Sequence, residues 1–204
     1  MKTPRLPALA AMAAALIASA ALSGCQTPVG PVEVTRFHVP DAALGRGTIR
    51  VEPAPGEDGN SIEFRTYAAA VARELTRLGY TEAAPGAPAA PQAAVVSLAR
   101  RTLVPERRRG PVSIGGGGTT GSYGSGVGVG IGIDLSGPPP EMVQTELGVT
   151  LRERATSRSL WEGRATFTVK AGAPLAQAPL GAAKMAAALF RDFPGRSGET
   201  IVVP

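Results

Sequence analysis

Cysteine and histidine are almost absent from this chain, since its 204 residues include one of each. A single cysteine, Cys25, excludes an intramolecular disulfide, and a single histidine, His38, is the only base around which a catalytic triad could form. The sequence has neither a G-x-S-x-G motif nor a Walker motif. No local group of His, Cys and carboxylate residues has the spacing of a zinc site. We therefore expect no cofactor, no metal and no enzymatic activity, and we interpret His38 as an ordinary strand residue.

Long apolar runs are also lacking, except at the N-terminus. Lys2 and Arg5 precede an uncharged stretch rich in Ala and Leu, which ends in Leu22-Ser23-Gly24-Cys25. This order of a basic head, an apolar centre and small residues is typical of a secretory signal peptide. The last four residues resemble the lipobox of bacterial lipoproteins, in which small residues admit the peptidase and the cysteine thiol accepts a diacylglycerol. A transmembrane helix, an ordinary cleaved signal and a buried helix with an incidental Cys25 are the alternatives.

The lipobox resemblance implies that residues 1–24 are a lipoprotein signal peptide and that Cys25 becomes the first, lipidated residue of the mature chain. Several acyl chains, palmitate among them, would then anchor the protein to a membrane without a transmembrane helix. Gln26 stands where the known inner-membrane retention signal has aspartate. We therefore predict a cell-envelope protein on the outer membrane, facing the periplasm, with the inner membrane as the alternative.

The net charge gives little indication of a partner. The formal charge of +5 falls to +3 when residues 1–24 are removed, because they contain Lys2 and Arg5 but no acid. So small a charge does not predict nucleic acid as a partner. The densest basic cluster consists of Arg107, Arg108 and Arg109. We predict that it contacts anionic lipid headgroups, with a solvated loop as the alternative reading.

Alternation and helical periodicity predict an α+β fold, a mostly antiparallel sheet with two helices packed on one face as a two-layer sandwich. One helix is predicted to begin at an N-cap residue Asn60 and to end at Gly79; the other covers residues 178–193. Residues 141–171 read as a long hairpin, and shorter strands are expected at 32–39, 47–53, 93–102, 126–135 and 199–204. The predicted organisation is a lipidated cysteine and tether at 25–35 and a single domain at 36–204, with a flexible Gly/Arg-rich loop near 104–125.

Glycines alternate with aliphatic residues in GVGVGIGIDL, from Gly126 to Leu135. In a strand, Gly128, Gly130 and Gly132 would share one bare face opposite Val129 and Ile131. Such a face indicates a close approach, since glycine costs about 0.5–1 kcal/mol relative to alanine inside regular structure. Internal packing against a backbone or helix is one explanation. A surface for an envelope protein partner, or for pairing between chains, is the other.

Several stretches together resemble a family of uncharacterised bacterial lipoproteins, the domain of unknown function 4136 family. They are the lipobox, GSGVGVGIGIDL, ELGVTLRERATSRSLWEGRA and MAAALFRDFPGRSGETIVV, among which Trp161–Gly163 and FPGRSG are the most specific. The resemblance implies an α+β periplasmic domain on a lipid anchor and supplies no catalytic residue. We expect a non-enzymatic envelope module that binds a protein, a lipid headgroup or a cell-wall polymer. The alternative is an envelope hydrolase that uses carboxylates such as Asp134 and Glu141.

Overall fold

A computed structural model describes residues 30–84, 86, 88–104, 112–121, 124–133 and 140–204, with only the backbone for 112–121 and 124–133. The described chain is α+β. Its strands are β1 (Val32–His38), β2 (Gly47–Pro53), β3 (Tyr80–Glu82), β4 (Gln92–Leu103), β5 (Val112–Gly121), β6 (Gly124–Ile133), β7 (Met142–Glu153), β8 (Ser159–Lys170) and β9 (Thr200–Val203). Its helices are α1 (Ile62–Arg77) and α2 (Ala178–Phe190), and a single 3-10 turn, Pro174–Ala176, precedes α2.

Seven strands form one sheet in the order β3-β2-β4-β7-β8-β1-β9. Strand β2 runs parallel to both β3 and β4, and every other pairing in this sheet is antiparallel. The two helices pack against one face, which confirms the predicted fold class. The other face carries no helix of the described chain, and we call it the open face.

The predicted hairpin is β7 and β8, and its register explains which side chains enter the core. Val143 pairs with Val169, Leu147 with Ala165, and Leu151 with Trp161. All these residues are buried, as are Thr145 and Val149 between them on β7, whereas the alternate positions Gln144, Glu146, Gly148 and Thr150 point to the open face. Strict alternation with one buried face is what an antiparallel sheet with a single covering layer requires.

Helix α1 places an apolar stripe on the sheet. Phe64, Tyr67, Val71 and Leu75 are buried at spacings of three and four residues, as the periodicity predicts. The chain leaves the helix through Gly79, whose φ of +101° is the left-handed conformation that glycine adopts most readily. Helix α2 buries a second stripe that includes Met185 and Leu189, so the two helices and the sheet share one core.

The predicted start of α1 is wrong by one residue. The N-cap is Ser61, whose hydroxyl oxygen accepts the backbone N–H of Phe64 at 3.0 Å. The backbone N–H of Asn60 instead donates to the carboxylate of Asp58 at 2.9 Å. Glu63 does not reach back to a cap, because Arg100 on β4 holds its carboxylate at 2.7 Å.

Two strands, β3 and β5, were not predicted, and each pairs with a neighbouring strand. The three residues of β3 follow Gly79 directly at the end of α1, and they are held by parallel pairing to β2. Strand β5 lies inside the range 104–125, predicted as a flexible loop, and pairs with β6 in a separate two-stranded sheet. Strand β1 begins at Val32, before the predicted domain boundary at residue 36.

Candidate functional site

Most residues singled out from the sequence fall outside the described residues. Cys25, Arg107, Arg108, Arg109 and Asp134 are among these, so their predicted roles stay predictions. Glu141 is described; it is exposed and directly precedes β7. Because Asp134 lies outside the described residues, its predicted pairing with Glu141 stays a prediction.

The three glycines of the predicted partner surface lie in β6. Their backbones pair with β5, with Gly128 opposite Gly117, Gly130 opposite Gly115 and Gly132 opposite Ser113. The strand predicted at 126–135 is therefore present from Gly124 to Ile133. The structure describes the backbone of this hairpin and not the surroundings of its side chains, so both explanations of the glycine face stay open.

The two sequence motifs that carry the family resemblance meet in space. Trp161 on β8 stacks on Phe190 at the end of α2, with ring centroids 5.3 Å apart and planes 17° from parallel. The ring of Phe193 lies 5.3 Å from Trp161 on a tilted plane. The indole N–H of Trp161 donates to the backbone oxygen of Pro194 at 3.0 Å. Trp161 thus fixes the loop that joins α2 to β9, residues 191–199, which we call the 191–199 loop.

Strand β1 holds the other side of the 191–199 loop. The backbone N–H of His38 donates to the hydroxyl of Ser197 at 3.2 Å, and a ring nitrogen lies 3.2 Å from the backbone oxygen of Gly195. The backbone oxygen of Arg36 accepts the N–H of Gly198 at 2.8 Å. His38 is thus a strand residue, as predicted, and its ring contacts backbone oxygens.

Arg36 is a buried arginine beneath the 191–199 loop, only 4% exposed. Its Nε donates to the backbone oxygen of Leu189 and its Nη2 to that of Ala188, both at 2.9 Å. These carbonyls belong to the last turn of α2, where helical partners are lacking. Burial lowers the pKa of Arg36, and the carboxylate of Asp192 acts in the opposite direction.

A cleft lies between Arg36 and the 191–199 loop, and we call it the loop cleft. It has a volume of 340 Å³. Besides Arg36 its walls carry three charged residues and two apolar ones, namely Asp192, Arg196, Glu199, Pro194 and Ile201. The sequence interpretation missed this site. The only signals for it were the core-facing position of Arg36 in an alternating strand and the FPGRSG motif.

A second cleft, of 270 Å³, lies on the open face, and we call it the open-face cleft. Its floor is Gly148 on β7, with the short side chains of Ser97 and Thr35 in the same row across the sheet. A β-carbon at Gly148 would collide with the hydroxyl of Ser97, so a side chain there would require Ser97 to change its rotamer. The depression therefore lies where Ser97 and Gly148 pair on adjacent strands, and Arg164 on β8 separates Gly148 from Thr35 in the same row.

Aromatic and charged side chains surround that floor. Phe37 on β1 is 54% exposed and pairs across the strands with Glu162, the central residue of the Trp-Glu-Gly motif. Arg164 lies beside them, and its Nε is 3.0 Å from a carboxylate oxygen of Glu146. Glu162 has no cation within 4.0 Å in the part of the chain that the structure describes. The open-face cleft thus offers an apolar ring, a free carboxylate and a paired arginine.

Two kinds of feature are absent from the described residues. No group of three or more His, Cys, Asp and Glu residues within them could hold a metal ion. Neither of their two helices has the length and hydropathy that crossing a membrane demands.

Comparison with known proteins gives a family and one curated relative. A family model described as "Domain of unknown function (DUF4136)" matches residues 40–195. An uncharacterised protein of Zymomonas mobilis is 29% identical in an alignment of 211 positions that covers 83% of this chain and 79% of that protein.

Solved structures with a similar backbone include two of low sequence identity. One is a PDZ domain protein from Parabacteroides distasonis, with a TM-score of 0.45 and 12% identity. The match covers 92% of this chain but only 42% of that one, so the chain spans less than half the length of that relative. Another is the PelC dodecamer from Paraburkholderia phytofirmans, with a TM-score of 0.42, 13% identity, and coverage of 81% of this chain and 99% of that one.

Proposed function

The chain belongs to the DUF4136 family, whose description states no activity, and we propose that it is a lipid-anchored, non-enzymatic binding module of the bacterial cell envelope. The observation that carries the binding role is the open-face cleft, where Phe37 is 54% exposed beside a floor made of Gly148 and the short side chains of Ser97 and Thr35. The anchor rests on the sequence, in which Cys25 ends a lipobox-like segment.

The position of the open-face cleft supports a role for its residues in ligand binding and not in stabilising the core. Phe37 contributes nothing to the core, which lies on the opposite face of the sheet. An aromatic ring left exposed keeps apolar surface in water, which forgoes about 25 cal/mol of stabilising free energy per Å². A concave site that combines an apolar wall with a few polar groups is the usual form of a ligand site. The open-face cleft has this combination.

Its chemistry suits a cell-wall polymer, bound through a sugar unit. A sugar ring has an apolar face that can lie against the ring of Phe37, and hydroxyl groups at its edge. The carboxylate of Glu162 accepts hydrogen bonds, the guanidinium of Arg164 donates them, and the hydroxyl of Ser97 does both. A lipid anchor on the outer membrane would hold this surface in the periplasm beside the cell wall.

Retention on purified cell-wall sacculi tests this function. The mature protein in detergent should sediment with the sacculi, and N-acetylglucosamine tetramer should compete for it. Phe37→Ala should weaken retention about tenfold, which corresponds to about 1.4 kcal/mol. Ile62→Ala is the matched control, because Ile62 on α1 is an apolar side chain that is 77% exposed and lies on the helical side.

Three outcomes would contradict the proposal. The first is a wild-type protein that does not sediment with sacculi. The second is equal retention of the Phe37→Ala and Ile62→Ala variants, which would show that the open-face cleft is not the binding site. The third is the release of soluble sugar fragments during the incubation, which would contradict the non-enzymatic role and favour the hydrolase alternative.

A further inference from the structure

The guanidinium of Arg36 is buried with its charge only partly satisfied. Two of its nitrogens donate to the neutral carbonyls of Ala188 and Leu189. Among the described residues no carboxylate oxygen comes within 4.0 Å of it, so Asp192 acts on it only from farther away. Buried charges in proteins are ordinarily paired or bind a ligand, because desolvation without a partner is costly. Arg36 therefore has the character of an anion-binding group.

The third nitrogen, Nη1, is the one that α2 does not hold. Among the described residues it has no hydrogen-bond acceptor. Gly195 covers it closely, since a β-carbon at that residue would lie 2.6 Å from Nη1. Gly195 has a φ of +80°, so the 191–199 loop passes over the guanidinium in a backbone conformation that suits glycine. Arg36 and Gly195 are both part of the wall of the loop cleft.

The rim of the loop cleft carries charges of both signs. Arg196 lies 4.0 Å from Glu199, with both side chains largely in water. Asp192 is on the opposite part of the loop; its side chain is 86% exposed, and its Oδ2 lies 3.9 Å from Nε of Arg191. With Arg36, the cleft thus has two cations and two carboxylates. A simple anion would meet Arg36 but be repelled by the carboxylates, whereas a ligand with both charges would find a partner for each.

We propose that the loop cleft binds a small ligand carrying both a carboxylate and an ammonium group, either a free amino acid or a short peptide. The carboxylate contacts Nη1 of Arg36, and the ammonium group lies near Asp192 and Glu199. Charge-assisted hydrogen bonds of this kind are about twice as strong as neutral ones. The volume of 340 Å³ suits a ligand of one or two amino-acid residues rather than a long chain. This site is separate from the open-face cleft, so neither proposal depends on the other.

Tryptophan fluorescence provides the readout, because Trp161 is the only tryptophan and its indole N–H is bonded to the 191–199 loop. The mature protein in detergent is titrated with four compounds. They are alanine, alanyl-alanine, the C-terminal amide of alanyl-alanine and the N-acetyl derivative of alanyl-alanine. Alanyl-alanine or alanine should give a saturable change. The amide and the N-acetyl derivative should each bind at least about tenfold more weakly. Tighter binding of alanine identifies a free amino acid as the ligand, and tighter binding of the dipeptide identifies a peptide.

Variants separate binding from folding. Arg36→Lys should weaken binding at least about tenfold, but it also removes bonds to α2 and can lower stability. The double variant Asp192→Asn, Glu199→Gln changes only exposed side chains, and asparagine tolerates the φ of +53° at position 192. It should bind alanyl-alanine about as weakly as wild type binds the N-acetyl derivative. Glu33→Gln, which changes an exposed carboxylate on β1 that lines neither cleft, is the control and should bind as wild type does.

The proposal is overturned if none of the four compounds gives a saturable change. It is also overturned if the amide binds as tightly as alanyl-alanine, because the carboxylate would then play no part. Equal binding by the double variant and Glu33→Gln would show that the ligand makes no ammonium contact with Asp192 or Glu199, and would overturn the proposed ligand class.

Discussion

The ring of Trp161 lies parallel to that of Phe190, 5.3 Å between centroids, and joins a β-strand to the end of a helix. Trp161 is 1% exposed, so its removal leaves a cavity under the 191–199 loop. We predict that Trp161→Ala lowers the free energy of unfolding by about 3–5 kcal/mol. Trp161→Phe keeps an aromatic ring but loses the bond to Pro194, and should cost less. Urea denaturation checks both, and an unchanged midpoint for Trp161→Ala would contradict the buried position.

Gly163 directly supports this packing by having no side chain. A β-carbon there would lie 2.9 Å from Cδ1 of Leu189 and closer still to the ring of Trp161. Gly163→Ala should therefore destabilise the domain by about 1–3 kcal/mol through overpacking. Gly172→Ala is the matched control, since nothing lies within 4 Å of a β-carbon at that position, and it should change stability by less than about 0.5 kcal/mol. Equal melting temperatures for the two variants would be inconsistent with this geometry.

Tyr67 makes stability sensitive to alkaline pH. Burial raises the pKa of Tyr67 above its ordinary value, while a hydrogen bond with the hydroxyl of Thr145 opposes this in part. The unfolded chain therefore loses the phenolic proton at lower pH than the folded chain does. Its contribution is complete below about pH 10, the ordinary tyrosine value, and declines as pH rises through the folded pKa.

The measurement is the urea midpoint between about pH 8 and pH 11. Tyr67→Phe should reduce the decline above about pH 10 relative to wild type. A decline of the same steepness in both proteins would show that Tyr67 is not its source. The same substitution removes a partner of Thr145, so only the slope with pH is compared and not the absolute stability.

The glycine face of β6 has two explanations that predict opposite signs. If a backbone or helix packs on that face, Gly130→Val should destabilise the protein by about 1–3 kcal/mol. If the face is open for a partner, valine should raise stability by up to about 1 kcal/mol, because it favours strands. In the second case, crosslinking in intact cells should lose an adduct that wild type forms. We predict destabilisation. A more stable variant with every crosslinked adduct retained would contradict both explanations.

Alternating patterns were enough to predict the strands that bury a face. In β1, Val32 and Val34 define the core side, and continuing the alternation by one step predicts that Arg36 is buried too. The hairpin β7–β8 was predictable for the same reason, since every second residue is apolar or small over both strands. Each of these patterns lies within a single strand or a pair of consecutive strands, so it can be read from a short stretch of sequence.

The loop cleft could not be predicted, because its parts are far apart in the sequence. Arg36 contacts the carbonyl of Leu189 across 153 positions, and neither residue alone indicates a site. Strand β3 was missed because three residues carry no periodicity and depend on β2 for their pairing. The cap of α1 was assigned to Asn60 instead of Ser61 since both types are good N-caps and only geometry distinguishes adjacent candidates.

The lipid anchor is the central claim of the proposed function, and metabolic labelling with palmitate tests it most directly. Cys25 is the only thiol in the chain, so no other cysteine can accept the lipid. Wild-type protein should incorporate labelled palmitate and lose residues 1–24, whereas Cys25→Ala should incorporate none and keep its signal peptide. Palmitate incorporation by Cys25→Ala equal to that of wild type would contradict the anchor, as would an unlabelled wild-type protein.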